Sequence, residues 1–150
     1  MEDSVEKRVE VKAPLSRVWR ALTDYREFGQ WFRVALEGPF APGKATRGKI
    51  TYPGYEHLAW TATVQRMEPE RLFSFTWHPY AIDSKTDYSS EPPTLVEFKL
   101  EAIPGGTLVV VTESGFAAVP AHRRDEAFRM NDKGWGIQMQ NIAHHVEQTQ

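Results

Sequence analysis

The sequence contains no cysteine in its 150 residues. Disulfide bonds, thiol nucleophiles and thiolate metal sites are therefore all excluded. It also has no uninterrupted run of the ~20 apolar residues that a membrane-spanning helix needs. The charged segment 1–8 lacks the apolar stretch of a secretory signal. These absences favour a soluble cytoplasmic protein with no membrane partner.

A charge excess of one sign is missing as well. Eighteen basic residues stand against twenty acidic ones, which gives a formal net charge of −2 at pH 7. Nucleic-acid binding relies on a surplus of Lys and Arg against phosphates, so the sequence predicts no nucleic-acid partner. The composition, with 41% hydrophobic and 25% charged residues, is that of an ordinary globular chain. Its length fits a single domain covering residues 1–150.

The remaining histidine and serine patterns do not point to catalysis. His144 and His145 are neighbours, so on a helix their side chains diverge by about 100° and cannot face one metal ion. No serine lies in a G-x-S-x-G context. Segment 38–45 resembles a phosphate-binding loop, but Ala45 replaces the required hydroxyl residue, so the segment is predicted to be a turn. We therefore assign no catalytic residue, no metal site and no cofactor.

Apolar residues recur at every second position in several segments, which predicts strands. Short turns join most of them, so they must be antiparallel, with one apolar face that needs a cover. Pro14 and Asp24 indicate the starts of two short helices after the first strand, with Glu27 completing a capping box at the second. The predicted strands are residues 5–12, 49–52, 58–67, 71–78, 95–103 and 107–114.

A helix from about residue 120 to 146 is the element left to cover the sheet. At ~100° per residue its inner face is apolar but interrupted by Asn131 and Gln138, one turn on either side of Trp135. Gly134 and Gly136 each cost about 1 kcal/mol of helix propensity. We predict an α+β helix-grip fold: a curved antiparallel six- to seven-stranded sheet around a long C-terminal helix. The long loop 79–94 is expected near a cavity mouth.

Short motifs occur in a fixed order along the chain. They are VEVKAP at 9–14, VWRALT at 18–23, QWF at 30–32, EPERL at 68–72, FTW at 75–77, GT at 106–107, TESGF at 112–116 and GW at 134–135. This ordered set resembles the START-like, or Bet v 1-like (SRPBCC), superfamily, and within it the heat-shock chaperone ATPase-activator homologue (Aha-type) family. The resemblance implies a cavity between the sheet and the helix. It also implies that Val109, Val111 and Glu113 point inward.

The predicted site is a cavity with large aromatic walls and few polar groups, as small-molecule sites have. A buried amide without a partner costs ~1–3 kcal/mol, so Asn131 and Gln138 predict room for water or a ligand. An inward Glu113 could anchor a ligand or act as an acid or base. The alternatives are a fully packed aromatic core and, for Glu113, a strand-end carboxylate that is paired with an Arg or solvated at the rim. The predicted cavity residues are Trp60, Phe73, Phe75, Trp77, Phe98, Val111, Glu113, Asn131, Trp135, Gln138 and Met139.

Three functions remain open from the sequence. The first is a carrier or sensor that binds a small hydrophobic or aromatic ligand in the cavity. The second is a cyclase- or dehydratase-type enzyme that acts on a bound carbonyl compound. The third is an accessory protein of a heat-shock chaperone, which requires an exposed apolar patch. Met130 and Ile137, opposite the buried face, are its helical candidates and could also serve a homodimer contact.

The cavity hypothesis predicts a difference between two positions of the C-terminal helix. Trp135→Ala should change the binding of a hydrophobic fluorescent probe more than Ile137→Ala does, because only Trp135 lies on the inner face. A probe titration of both variants checks this. Equal binding by both variants, with the aromatic side chains in mutual contact and no void, would make the aromatic set plain core.

Overall fold

The computed structural model describes residues 3–83 and 85–149. Within these residues the chain folds into seven strands, three α-helices and a short 3-10 turn at Phe116–Ala118. The elements in chain order are β1 (Ser4–Val11), α1 (Leu15–Thr23), α2 (Tyr25–Phe32), β2 (Val34–Leu36), β3 (Ala45–Ile50), β4 (Ala59–Glu68), β5 (Leu72–Trp77), β6 (Thr94–Ile103), β7 (Gly106–Ser114) and α3 (Ala121–Gln148).

The strands form one antiparallel sheet in the order β1-β7-β6-β5-β4-β3-β2. Strands β2 to β7 follow one another as a meander, and β1 returns to pair with β7 along its whole length. The first strand thus forms one edge of the sheet, next to the last strand. A local shift in register between Val64 and Arg66 bends β4 against β5. The predicted antiparallel α+β helix-grip fold is confirmed.

Helix α3 covers the apolar face of the sheet over 28 residues, or about eight turns. Its inner face buries side chains at the helical spacing that the sequence predicts. Helices α1 and α2 close one end of the core with Val18, Leu22, Phe28 and Trp31. No helix in residues 3–83 and 85–149 is long and apolar enough to cross a membrane. The buried residues of α3 are Ala127, Trp135, Met139, Ile142, Ala143 and Val146.

The edge of the sheet differs from the sequence prediction. Strand β3 begins at Ala45, inside the segment predicted as a turn, and ends at Ile50 instead of reaching residue 52. Strand β2, which pairs with it, was not predicted. Strand β2, at the edge of the sheet, has only three residues, and β3 has a single large apolar residue, Ile50, so neither shows a period-two alternation. At Gly48 a Cβ would lie 2.3 Å from the carbonyl oxygen of Ala35, so only glycine allows the two strands to pair this closely.

Glu27 connects the three helices. Asp24 caps α2 by accepting the backbone N–H of Arg26 and Glu27, as predicted. The Glu27 side chain does not complete the capping box, because it is held by two arginines of α1 and by His145 of α3. Its carboxylate oxygens lie 2.9 Å from an Arg17 nitrogen, 2.8 Å from Arg20 Nε and 2.9 Å from His145 Nε2. Burial raises the pKa of Glu27, but these hydrogen bonds outweigh it and hold the pKa below the ordinary 4.5.

This cluster predicts a stability that depends on pH. A carboxyl group whose pKa is lower in the folded state stabilises the fold above its unfolded-state pKa, and this contribution disappears as the pH falls through the folded-state value. Glu27→Gln should therefore lower the free energy of unfolding by roughly 1–3 kcal/mol at pH 7. The difference from wild type should shrink below about pH 4.5. Urea unfolding at several pH values measures it.

The exposed Glu37 provides the matched control, since Glu37→Gln should change stability by less than about 0.5 kcal/mol at any pH. An equal effect of Glu27→Gln at pH 7 and well below pH 4 would contradict an ionic role for the cluster.

Candidate functional site

Glu113 lies in the interior of the protein. Strand β7 is paired on both sides, by β1 and β6, so every second side chain faces α3. Val109, Val111 and Glu113 have an exposed fraction of 0%. A carboxylate at such a position loses its hydration and needs hydrogen-bond donors from the protein instead.

Four side chains supply those donors. Trp77 Nε1 donates to Glu113 Oε2 over 2.7 Å, and Thr94 Oγ1 donates to the same oxygen over 2.5 Å. Asn131 Nδ2 and Trp135 Nε1 each donate to Oε1 over 2.8 Å. The donors come from β5, β6 and α3. Glu113 therefore ties the sheet to the covering helix.

The four partners use the hydrogen-bonding capacity of the carboxyl group. A carboxylate accepts hydrogen bonds at about four lone-pair sites, and indole and amide N–H groups only donate. The ion pairs found among the described residues do not include Glu113. The structure thus buries a carboxyl group that neutral side chains solvate and that no cation within the described chain pairs with.

A small pocket, the helix pocket, lies against this cluster. Its volume is about 110 Å³. Three of its lining residues, Trp77, Asn131 and Trp135, donate hydrogen bonds to Glu113, so the carboxyl group lies directly behind the pocket lining. The pocket is lined by Phe32, Trp77, Asn131, Gly134, Trp135 and Gln138.

Gly134 keeps the helix pocket open. A Cβ at this position would meet nothing within 4 Å, so a side chain would project into free space. Gly136 has the same freedom but does not line the pocket. Both glycines carry the same cost in helix propensity, about 1 kcal/mol relative to alanine. They therefore form a matched pair, of which only Gly134 borders the site.

A larger space, the loop groove, adjoins the helix pocket. Its volume is about 510 Å³, and it lies between the start of β4 and the loop that follows β5. Phe32 and Trp77 line both spaces. The loop 79–94 borders the groove through residues between 80 and 88, which is the position expected for it. The groove is also lined by residues 57–61 and Ile50.

Arg123, near the start of α3, fastens this loop. Its guanidinium forms an ion pair with Glu91, in which Nε donates over 3.0 Å, and its Nη1 donates to the carbonyl oxygen of Pro79 over 2.7 Å. The guanidinium carbon lies 4.8 Å from the centre of the Tyr88 ring. His78 Nε2 bonds the carbonyl oxygen of Glu91 over 2.8 Å. The loop is thus attached to α3 at one wall of the groove.

The structure distributes the predicted site residues over three places. Trp77, Asn131, Trp135 and Gln138 line the helix pocket, Trp60 and Trp77 line the loop groove, and Glu113 lies behind the pocket wall. The remaining predicted residues lie in the closed core, each exposed by at most 1%, and line neither space. A role for them in binding stays a prediction. They are Phe73, Phe75, Phe98, Val111 and Met139.

The two amides find partners within the protein. Asn131 donates to Glu113, while Gln138 Nε2 donates to the Phe32 carbonyl oxygen over 3.3 Å and Gln138 Oε1 accepts from Asn141. Neither amide depends on water or a ligand for a first partner, so the prediction that both amides need one was wrong. The sequence-based prediction also missed Phe32 and Thr94. Phe32 is the last residue of the short helix α2, and Thr94 was predicted as the end of the loop 79–94.

The described residues hold no group of three or more His, Asp or Glu side chains placed to bind a metal ion.

Comparison with known proteins identifies one family. The family model described as Activator of Hsp90 ATPase homolog 1-like protein matches residues 12–147. No curated protein matches the sequence. The match includes every helix and strand except β1 and the last residue of α3, and therefore all the residues of the helix pocket.

Solved structures share the fold at low sequence identity. DynU16, a protein of the dynemicin biosynthetic locus, is 24% identical with a TM-score of 0.76; the match covers 98% of this chain and 48% of DynU16, so the chain spans about half of that protein. Protein MLL2253 from Mesorhizobium loti is 21% identical with a TM-score of 0.76, over 98% of both chains. CalU16 from Micromonospora echinospora is 20% identical with a TM-score of 0.66, over 95% of this chain and 75% of CalU16. These similarities establish the fold.

The cluster around Glu113 predicts a large stability effect from a nearly isosteric change. Glu113→Gln replaces one acceptor oxygen by an NH₂ group, which cannot accept hydrogen bonds from indole or amide donors. If Oε2 is replaced, Trp77 loses its acceptor while the Thr94 hydroxyl can turn to accept. If Oε1 is replaced, Asn131 and Trp135 both lose theirs. At least one buried donor is left without a partner, so the free energy of unfolding should fall by about 1–3 kcal/mol. Urea unfolding measures this loss.

Glu101→Gln, at an exposed position of β6, is the control and should change stability by less than about 0.5 kcal/mol. A Glu113→Gln protein as stable as this control would show that the hydrogen bonds to Glu113 add nothing to the fold.

Proposed function

The chain belongs to the family of Activator of Hsp90 ATPase homolog 1-like proteins, and from this premise we propose that it binds a small, largely apolar molecule between the sheet and α3. The observation that carries the proposal is Glu113, a fully buried carboxylate directly behind the lining of the helix pocket. A core that only had to be filled would hold an apolar residue there, because desolvating a carboxylate is costly. Its position next to a pocket favours ligand recognition.

The two spaces suit different parts of one ligand. The loop groove, at about 510 Å³, is within the ~300–1,000 Å³ typical of small-molecule sites. The helix pocket is narrower and holds the amide groups of Asn131 and Gln138. An apolar body in the groove and a small polar head in the pocket would contact Phe32 and Trp77 from both sides. These two rings would then act as the junction between the two parts of the site.

The hydrogen bonds of Glu113 favour binding over catalysis. A general base must reach the proton that it abstracts, over about 2.6–3.2 Å or through one water. Both carboxylate oxygens already accept two hydrogen bonds each, and the donors stand between Glu113 and the pocket. A cyclase or dehydratase reaction through Glu113 would first require one donor to leave. A carrier or sensor role needs no such change.

The outer surface of α3 gives little support to a chaperone-accessory role. Met130 and Ile137 are exposed by 40% and 53% and lie two turns apart on the helix. Two separate side chains form a much smaller apolar area than the patches of several hundred Å² that mark interaction surfaces. Ligand binding is therefore the function that the structure supports best.

The matched glycines test the proposal. Gly134→Leu should fill the helix pocket and weaken binding of the neutral fluorescent probe N-phenyl-naphthylamine by about ten-fold or more. Gly136→Leu should leave the affinity within about two-fold, because this position borders open space outside the pocket. Both substitutions raise helix propensity by the same amount, so a difference in stability cannot explain a difference in binding. A fluorescence titration measures the two affinities.

Native mass spectrometry of the protein purified from its own host provides a second test of ligand binding. A bound small molecule should accompany the wild type and Gly136→Leu, and should be lost from Gly134→Leu. Equal probe binding by both leucine variants, together with no co-purifying molecule in any of the three proteins, would refute the proposed function.

A further inference from the structure

The helix pocket lies beside a carboxyl group that has no cationic partner within the described chain. Glu113 stands behind its wall, and its four hydrogen-bond partners are all neutral. None of the residues that line the pocket is Lys, Arg or His. The field of an ionised carboxylate in a protein interior is weakly screened, so it reaches a group placed in an adjacent pocket. With Glu113 ionised, the electrostatic potential in the helix pocket favours a positive group.

Three aromatic residues line the helix pocket. The ring centres of Phe32, Trp77 and Trp135 form a triangle with sides of 6.1, 6.1 and 5.7 Å. Aromatic faces attract cations, tryptophan most strongly. Both indole N–H groups point at the Glu113 carboxylate. This contact pushes electron density into the rings and strengthens their attraction for a cation. The indoles also have no N–H left to offer an anionic ligand.

The polar side chains of the pocket add hydrogen-bond acceptors. Asn131 turns its Nδ2 toward Glu113, and its Oδ1 has no hydrogen bond to any part of the chain that the structure describes. Gln138 Oε1 accepts one bond, from Asn141, and a carbonyl oxygen has a second lone pair. Both residues line the pocket. A ligand group with several N–H donors would match this arrangement.

The size of the pocket sets the size of the group. At about 110 Å³ it is smaller than the ~150 Å³ cavity that takes one benzene molecule. An ammonium group with one or two methylenes fits such a space. The rest of the ligand would extend past Phe32 and Trp77 into the loop groove.

We infer that the helix pocket recognises the protonated amine end of an amphipathic ligand, through the field of Glu113, the ring faces of Phe32, Trp77 and Trp135, and the amide oxygen of Asn131. The inference rests on the proposed function and adds the chemical class of the ligand. Alkylamines have a pKa near 10, as lysine does, so the group is charged at pH 7.

Three probes with the same apolar body separate charge from shape. Phenylbutylamine, phenylbutanol and phenylbutyrate are cationic, neutral and anionic at pH 7, and each is titrated calorimetrically into the wild-type protein. The amine should bind about ten-fold tighter than the alcohol, and the carboxylate should bind most weakly. This comparison uses only the wild type, so it does not depend on the stability of a variant.

A charge placed in the pocket gives the second test. Gln138→Lys puts a cation beside the expected ammonium and should weaken amine binding by about ten-fold, while alcohol binding changes by less than about three-fold. Gln140→Lys adds the same charge at an exposed position outside the pocket and should change neither affinity.

The outcomes distinguish this inference from the proposed function. If amine and alcohol bind equally and Gly134→Leu weakens both, the protein binds small molecules at this site but does not select amines, and the inference fails alone. If phenylbutyrate binds best, the sign of the potential is wrong and the inference fails. If none of the three probes binds to the wild type, the inference and the proposed function fail together.

Discussion

Burying one carboxyl group between the sheet and α3 constrains most of this structure. Glu113 has no access to water, so the fold must supply its hydrogen bonds, and no single element can provide them all. Two donors come from strands β5 and β6 and two from α3. Asn131 and Trp135 are four residues apart and therefore share a helix face. Their bonds to one carboxylate oxygen fix both the rotation of α3 and its position along the sheet.

The pocket follows from the same constraint. Trp77 and Trp135 both turn their indole N–H groups toward Glu113, and both also line the space beside α3. Gly134 precedes Trp135 and adds no side chain to fill that space. A polar interaction inside the protein thus determines the shape of an apolar surface. Recognition and stability depend on the same residues, so changes at Glu113 affect both.

The sequence predicted the fold because its evidence is local: period-two alternation for the long strands and a helical stripe for α3. It missed β2 and the start of β3, whose small residues such as Gly48 hold their place through contact with a neighbouring strand. The site was predictable only in part. Trp135 and Gly134 stood out along the helix, but the partner of Asn131 is Glu113, 18 residues away on a strand, and no periodicity reveals that pairing. Thr94, at the end of a loop, gave no signal at all.

The close approach of Trp77 and Trp135 has an optical consequence. Their ring centres are 5.7 Å apart and their planes are inclined by 32°. Two identical chromophores at this separation and in a fixed chiral arrangement couple their electronic transitions, which gives a paired signal in the circular dichroism spectrum. A molecule that enters between the helix and the sheet would displace one ring relative to the other and alter that signal. The protein therefore contains its own label-free reporter of whether the pocket is filled.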